Sequence, residues 1–157
     1  MKRNFQIAAI AMALAAPAPL IPAMAATPDT TNKIEMTMYK NPTCSCCEAY
    51  AAYLEKEGPL KVKLIPTNDL AQVSTSLGVP DSLQGCHAIK VGPHVVDGFV
   101  PINTLKKFLI AQPQNITGLS VPGMPMGAPG MGGEKMEPWT IYAFTKGSTE
   151  TPVYAVE

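Results

Sequence analysis

Three of the chain's four cysteines fall within four residues, Cys44-Ser45-Cys46-Cys47, and the fourth, Cys86, is followed directly by His87. Structural disulfides stabilise by closing loops, and the gain shrinks with the loop, so a stapling framework would spread its cysteines. Clustering points instead to chemistry at the sulfurs. Cys44 and Cys47 have the C-x-x-C spacing of a thiol–disulfide exchange pair. Cys46 beside them is a third thiol that would compete for mixed disulfides. Three thiolates at the positive end of a helix suit a cation better, because the cation offsets their mutual repulsion. Thiolates select Cu(I), Zn or Fe–S over hard ions. A soft-metal site is the favoured reading, with a redox pair and a plain disulfide as the alternatives.

A tetrahedral site needs a fourth ligand, and Cys86 is the candidate, against the plainer reading of a buried free thiol. His87 is either a further ligand or a group that orients its loop by hydrogen bonding. Met124, Met126 and Met131 lie in a segment with no core of its own; their thioethers either bind Cu(I) or pack over a neighbouring surface. His94 follows a turn and is expected in solvent.

Positioning these groups falls to a short succession of elements. Ile34 to Met38 alternates apolar and polar as a first strand, broken by Asn41-Pro42-Thr43. From Cys47 the period becomes helical, with Tyr50, Tyr53 and Leu54 on one face as core or site wall, and Gly58-Pro59 closes that helix. Leu60 to Ile65 alternates as a second strand. Thr67 or Asn68 can cap a second helix with the face Leu70, Val73 and Leu77, ended by Gly78 and Pro80. A loop, 81–85, then delivers Cys86. Gly92-Pro93 joins Ala88–Val91 and His94–Val96 as a hairpin, and Asp97-Gly98 turns the chain again. Pro101 opens a third helix bearing Ile102, Leu105, Phe108 and Leu109, and Pro113 stops it. Residues 118–133, rich in Gly, Pro and Met, read as an irregular loop. Residues 139–156 read as a C-terminal β-hairpin turning at Lys146-Gly147. This order predicts an α/β, thioredoxin-like domain: a small mixed sheet with flanking helices and the cysteine motif at the first strand-to-helix turn.

Lys2 and Arg3, an apolar run from Phe5 to Ala16, and Ala23-Met24-Ala25 have the layout of a secretory signal peptide over 1–25, followed by a polar leader, 26–33. The expected location is periplasmic, with residues 34–157 as a single domain. Removing Lys2 and Arg3 leaves ten basic residues against twelve acidic. With no basic stripe, nucleic acid and anionic membrane are not expected partners.

Tyr39-Lys-Asn-Pro-Thr-Cys-Ser-Cys-Cys, Gly85-Cys-His-Ala, Val95-Val-Asp-Gly-Phe-Val-Pro and Gly118-Leu-Ser-Val-Pro-Gly-Met-Pro-Met-Gly-Ala-Pro-Gly-Met occur in this order over nearly all of the chain after its leader. In these motifs it resembles the CopG-type periplasmic copper-resistance proteins, long described as a domain of unknown function. The resemblance implies a thioredoxin-like fold and copper bound through Cys44, Cys46, Cys47 and Cys86. It also implies a role in copper tolerance, with cycling between Cu(I) and Cu(II) as one way of exercising it, and other periplasmic copper-handling proteins as partners. The expected activity is primarily metal binding, and a copper oxidoreductase is compatible with it. Four thiolates can hold a multi-copper cluster, because each sulfur can bridge two Cu(I) ions. Two positions depart from the family pattern: Ser45 stands where glycine is frequent, and Phe99 where histidine is frequent. The second removes a potential metal-tuning group. A thiol–disulfide oxidoreductase working through Cys44 and Cys47 is the alternative function.

Overall fold

The computed structural model describes residues 33–157. The expected signal peptide, and all of the polar leader but Lys33, lie outside the described residues. The elements are β1 (Ile34–Lys40), α1 (Ser45–Glu57), β2 (Leu60–Pro66), α2 (Leu70–Leu77), a 3-10 turn (Asp81–Leu83), β3 (His87–Val91), β4 (His94–Gly98), α3 (Ile102–Ala111), β5 (Gly118–Val121), β6 (Thr140–Phe144) and β7 (Val153–Val156). They build one seven-stranded sheet in the order β2-β1-β3-β4-β5-β6-β7. β1 pairs parallel with β2 and antiparallel with β3, and β3 and β4 form an antiparallel hairpin. This is the strand–helix–strand unit, hairpin and closing helix of a thioredoxin-like fold, extended on the β4 side by three more strands. β5 joins β4 in parallel, and β6 and β7 continue antiparallel.

Helices cover both faces. One core cluster unites Tyr50 and Leu54 of α1 with Leu105 and Phe108 of α3, over Met36, Met38, Ile89, Val96 and Leu119 of the sheet. A smaller cluster on the other face joins Val79 and Leu83, which follow α2, to Val95 and Phe144. Val95 and Val96 are adjacent and serve opposite clusters, as the period-2 geometry of a strand requires. The Tyr50 hydroxyl donates to the Val100 carbonyl (2.8 Å) and ties α1 to the segment after β4.

Four local expectations are corrected. Residues 118–121 are a strand with all four residues buried, and the irregular segment begins only at Pro122. A strand covered on both faces has no polar side to alternate, and this one is short and flanked by glycine and proline, so periodicity does not reveal it. Asp97-Gly98 does not turn the chain but ends β4, opposite Ser120 and Val121. At the start of α2 the cap position is Asp69, while Thr67 Oγ1 accepts the Asp69 N–H (3.1 Å) just before it. His94 is buried against Phe108, with ring centroids 4.7 Å apart, rather than solvated. Its strand lies in the middle of the widened sheet, where no edge is left to face water.

Gly98 has φ +67, and a Cβ there would stand 2.0 Å from the Val121 carbonyl oxygen. The β4–β5 pairing therefore requires glycine on two counts, left-handed backbone and close approach. Gly98→Ala is expected to cost roughly 3 kcal/mol or more. In urea this appears as a lowered midpoint with little change in the slope of the transition.

Candidate metal centre

The centre forms where the end of β1 and the start of β3 run side by side. Lys40 stands opposite His87 in the β1–β3 register. One step beyond, the Asn41 N–H donates to the Cys86 carbonyl (3.3 Å). The Cys86 loop is thus tied to the loop that leads into α1. Within that second loop the Cys44 N–H donates to the Asn41 carbonyl (3.1 Å), and Lys40 Nζ donates to the carbonyls of Asn41 and Pro42 (3.1 Å each). Lys40 is buried, and its charge is met by Glu48 on the first turn of α1 (3.1 Å). A buried ammonium needs such partners, since leaving it unpaired is costly.

Cys44 occupies the N-cap position of α1, and its sulfur accepts the Cys47 N–H (3.3 Å). The helix then places Cys46 and Cys47 in its first turn, where unsatisfied N–H groups and the helix dipole favour negative charge. All four sulfurs lie within 4.8 Å of one another. Cys44 and Cys47 are joined as a disulfide, and Cys46 and Cys86 are free thiols. Cys46 Sγ lies 3.2 Å from Cys44 Sγ, and Cys86 Sγ lies 3.3 Å from Cys47 Sγ, so each free thiol abuts one sulfur of the bridge. The plain-disulfide alternative describes two of the four sulfurs and leaves the other pair unused.

Crowding and burial set the protonation of this cluster. Burial pushes the Cys86 thiol up to about 11, and the Cys46 sulfur and the Asp97 carboxylate add to the shift. Without a cation, Cys86 keeps its proton. His87 is fully buried and held neutral, down to about 4, chiefly by that burial. Its Nε2–H donates to the Gly98 carbonyl (3.1 Å), which leaves Nδ1 unprotonated and 3.6 Å from Cys86 Sγ. The imidazole is wedged between Tyr50 and Phe99, with centroids 5.2 and 5.3 Å away. Nε2 is thus engaged by the Gly98 carbonyl, and Nδ1 is the ring atom left facing Cys86. Phe99 fills space against Tyr50 and His87 and carries no donor atom to the cluster.

The methionines divide. Met131 is partly buried against the main core, while Met124 and Met126 are mostly exposed. The loop that carries them touches the cysteine motif through its backbone. A Cβ on Gly130 would stand 2.9 Å from Cys46 Cα and 2.7 Å from Ala49 Cβ.

Two residues beside the site escaped the reading of the sequence. Lys40 had a signal: the period-2 parity that buries Met36 and Met38 also turns Lys40 inward. Asp97 is fully buried, and its Oδ1 accepts the Gly85 N–H (2.7 Å), so it holds the residue before Cys86. Its only signal is a carboxylate set within a run of apolar residues.

Fold and site together define a thioredoxin-like domain with a four-sulfur cluster at its first strand-to-helix turn. Comparison with known proteins agrees. Two solved structures, named "Copper resistance protein copG- Form 1" and "Copper resistance protein copG- Form 2", match with TM-scores of 0.71 and 0.72. Each is 28% identical and covers 80% of this chain, and the matches span 98% and 99% of those chains. A family model described as "Protein of unknown function, DUF411" matches residues 83–131, from the Cys86 loop to Met131. No curated protein sequence matches significantly. The resemblance to CopG-type proteins is therefore carried by the whole fold as well as by the motifs.

His87 and Asp97 give opposite pH dependences of stability. The His87 contribution is fully present above pH 6.5 and is lost as the pH falls towards 4, where the folded imidazole takes up its proton. Burial raises Asp97 from 3.8 to about 7, so its contribution is present below 3.8 and is lost as the pH rises towards 7. Each is on the order of a few kcal/mol, and between pH 4 and 6.5 the two offset each other. Relative to the parent protein, Asp97→Asn should gain stability from pH 4 to 6.5, and His87→Gln should lose stability over the same interval. Urea unfolding at fixed thiol oxidation state measures both slopes, and parallel curves for the three proteins would contradict the assignment.

Proposed function

We propose that this chain is a periplasmic copper-binding protein that serves copper tolerance by holding Cu(I) on Cys44, Cys46, Cys47 and Cys86. The observation that carries this reading is the convergence of four sulfurs within 4.8 Å, supplied by two loops that hydrogen-bond each other. An all-sulfur donor set favours Cu(I) over hard cations. Two solved structures that match the fold are named copper resistance proteins, which supports copper as the cargo. The layout of residues 1–25 supports export, with removal of that segment leaving the polar leader, 26–33, and residues 34–157 as the working domain. Among the described residues no helix is long and apolar enough to cross a membrane.

Loading requires the reduced protein, because the Cys44–Cys47 bond withholds two donors. Entry of the cation displaces the proton that Cys86 otherwise keeps, and His87 Nδ1 is an unprotonated nitrogen 3.6 Å from that sulfur. Four thiolates suit a multi-copper arrangement in which sulfurs bridge. His87 Nδ1 stands beside Cys86 Sγ, and Met131, which follows Gly130 in the segment resting on Cys46, is the candidate for an additional soft thioether. Interconversion of Cu(I) and Cu(II) fits the same sulfurs. Oxidation of the Cys44/Cys47 dithiol to the disulfide releases two electrons and two protons, enough to reduce two Cu(II) ions to Cu(I).

The disulfide itself favours a second reading, a thiol–disulfide oxidoreductase using Cys44 and Cys47. The two readings separate at Cys46. Anaerobic titration of the reduced protein with Cu(I) against a competing chelator should give binding far tighter than micromolar, and Cys46→Ser should weaken it by at least about tenfold, or ~1.4 kcal/mol. Micromolar affinity, or affinity unchanged in Cys46→Ser, contradicts the copper reading. If Cys46→Ala also speeds insulin reduction, the oxidoreductase takes its place. X-ray absorption of the loaded protein then reports sulfur-only coordination and any copper–copper scattering.

A further inference from the structure

We infer that the chain has a second soft-cation site, distinct from the cysteine cluster, formed by the thioethers of Met126 and Met136 and the indole of Trp139, and that it takes a single Cu(I) ion. These three side chains line one open groove between the 122–138 segment and the start of β6, and no cysteine lines it. Met126 is 57% exposed and Met136 77% exposed, so neither fills a core gap, the usual work of methionine. Trp139, by contrast, is packed against the core, and its carbonyl accepts the Glu157 N–H (3.0 Å). The indole is therefore a fixed platform and the thioethers are the adjustable arms.

The ring already has a cation over it. Lys135 Nζ stands 4.5 Å from the Trp139 ring centroid, within the distance at which an indole face attracts positive charge. A Cu(I) ion held in the groove against the indole gains the same kind of attraction and adds bonds to sulfur, which an ammonium cannot form. Glu137 is the carboxylate in the lining and offsets the added charge. One carboxylate and two thioethers are a poor set for Ca²⁺ or Zn²⁺, which require oxygen, nitrogen or thiolate donors. They suit a monovalent soft ion that accepts few ligands. Neutral thioethers hold Cu(I) without first losing a proton, so this site needs neither reduction of the disulfide nor deprotonation of Cys86. The same segment rests on Cys46 through Gly130, which places the groove and the cluster on one stretch of chain.

Trp139 is the only tryptophan, so its emission reports the site directly. The test uses the oxidised Cys46→Ser/Cys86→Ser protein, which keeps the disulfide and has no free thiol, with Ag(I) as a redox-inert stand-in for Cu(I). Ag(I) should change the Trp139 emission saturably at one equivalent. Met126→Leu/Met136→Leu added to that background should raise the half-saturating concentration at least about tenfold, since leucine keeps the volume and removes the sulfur. Lys135→Gln should lower it, by removal of the competing cation. In case the cysteine variant does not fold, methyl-labelled parent protein in the disulfide form provides the second measurement, in which the Met126 and Met136 methyl resonances should move with Ag(I). Unchanged emission, an equal response from the leucine variant, an equal response to Zn²⁺, or unmoved methyl resonances would each overturn the inference. Because no cluster ligation is required, failure here is separable from failure of the four-cysteine reading.

Discussion

Lys40 and His87 face each other across the β1–β3 ladder, and the site depends on that register. A shift by one residue would turn Met36 and Met38 out of the core and carry the Cys44 loop away from Cys86. The hydrophobic pattern of β1 therefore fixes more than a strand. It sets the height at which α1 begins, and with it the position of three sulfurs relative to the fourth. The buried ammonium of Lys40 adds direction, because its hydrogen bonds to the Asn41 and Pro42 carbonyls hold the connection folded over the end of the strand. The energy that keeps the sulfurs together comes from the core beneath them. That is why four groups which repel one another when ionised can be held at such short separation.

The surroundings of the sulfurs are arranged to keep the metal-free state neutral. Burial raises Cys86 and lowers His87, so both neighbours lose charge, and the carboxyl of Asp97 is pushed the same way. Each shift has burial as its largest cause. A cation entering such a place meets donors that become anionic only as it arrives, and the positive end of α1 shares the load. The same donor set discriminates against hard ions, because sulfur does not replace the oxygen ligands of their hydration shell. Phe99 contributes by exclusion: it closes the side of His87 that a polar residue would open to exchange.

The elements that build the site were legible because their signals are local. Strand alternation in β1 and β2, the 3.6-residue period from Cys47 to Leu54 and the glycine at Gly92 each follow from the residues nearby. What was not legible depends on distant partners. β5 looks like loop because its four residues are buried on both faces and so show no period. His94 looks solvated because a residue after a tight turn usually is, yet the sheet continues past β4 and α3 lays Phe108 over it. Asp97 has a side chain whose partner is the N–H of Gly85 in a preceding loop, which composition does not encode. The cysteine cluster was legible as a set, since spacing and type suffice to propose it. The pairing within it was not, because all three full pairings of four cysteines are open to sequence alone.

The disulfide and the metal reading share their sulfurs, and this decides how they relate. With Cys44 and Cys47 joined, the cluster offers two free thiols; reduced, it offers four. The number of soft donors is thus a function of redox state with no change of fold required, because Cys44 and Cys47 sit in one helical turn and remain neighbours either way. Each free thiol also abuts one sulfur of the bridge, so reduction or exchange can begin from inside the cluster as well as from a partner. A domain that used only a C-x-x-C pair would gain nothing from Cys46 and would risk misdirected exchange. Across both states Cys46 and Cys86 remain free thiols, while Cys44 and Cys47 become available as donors only on reduction.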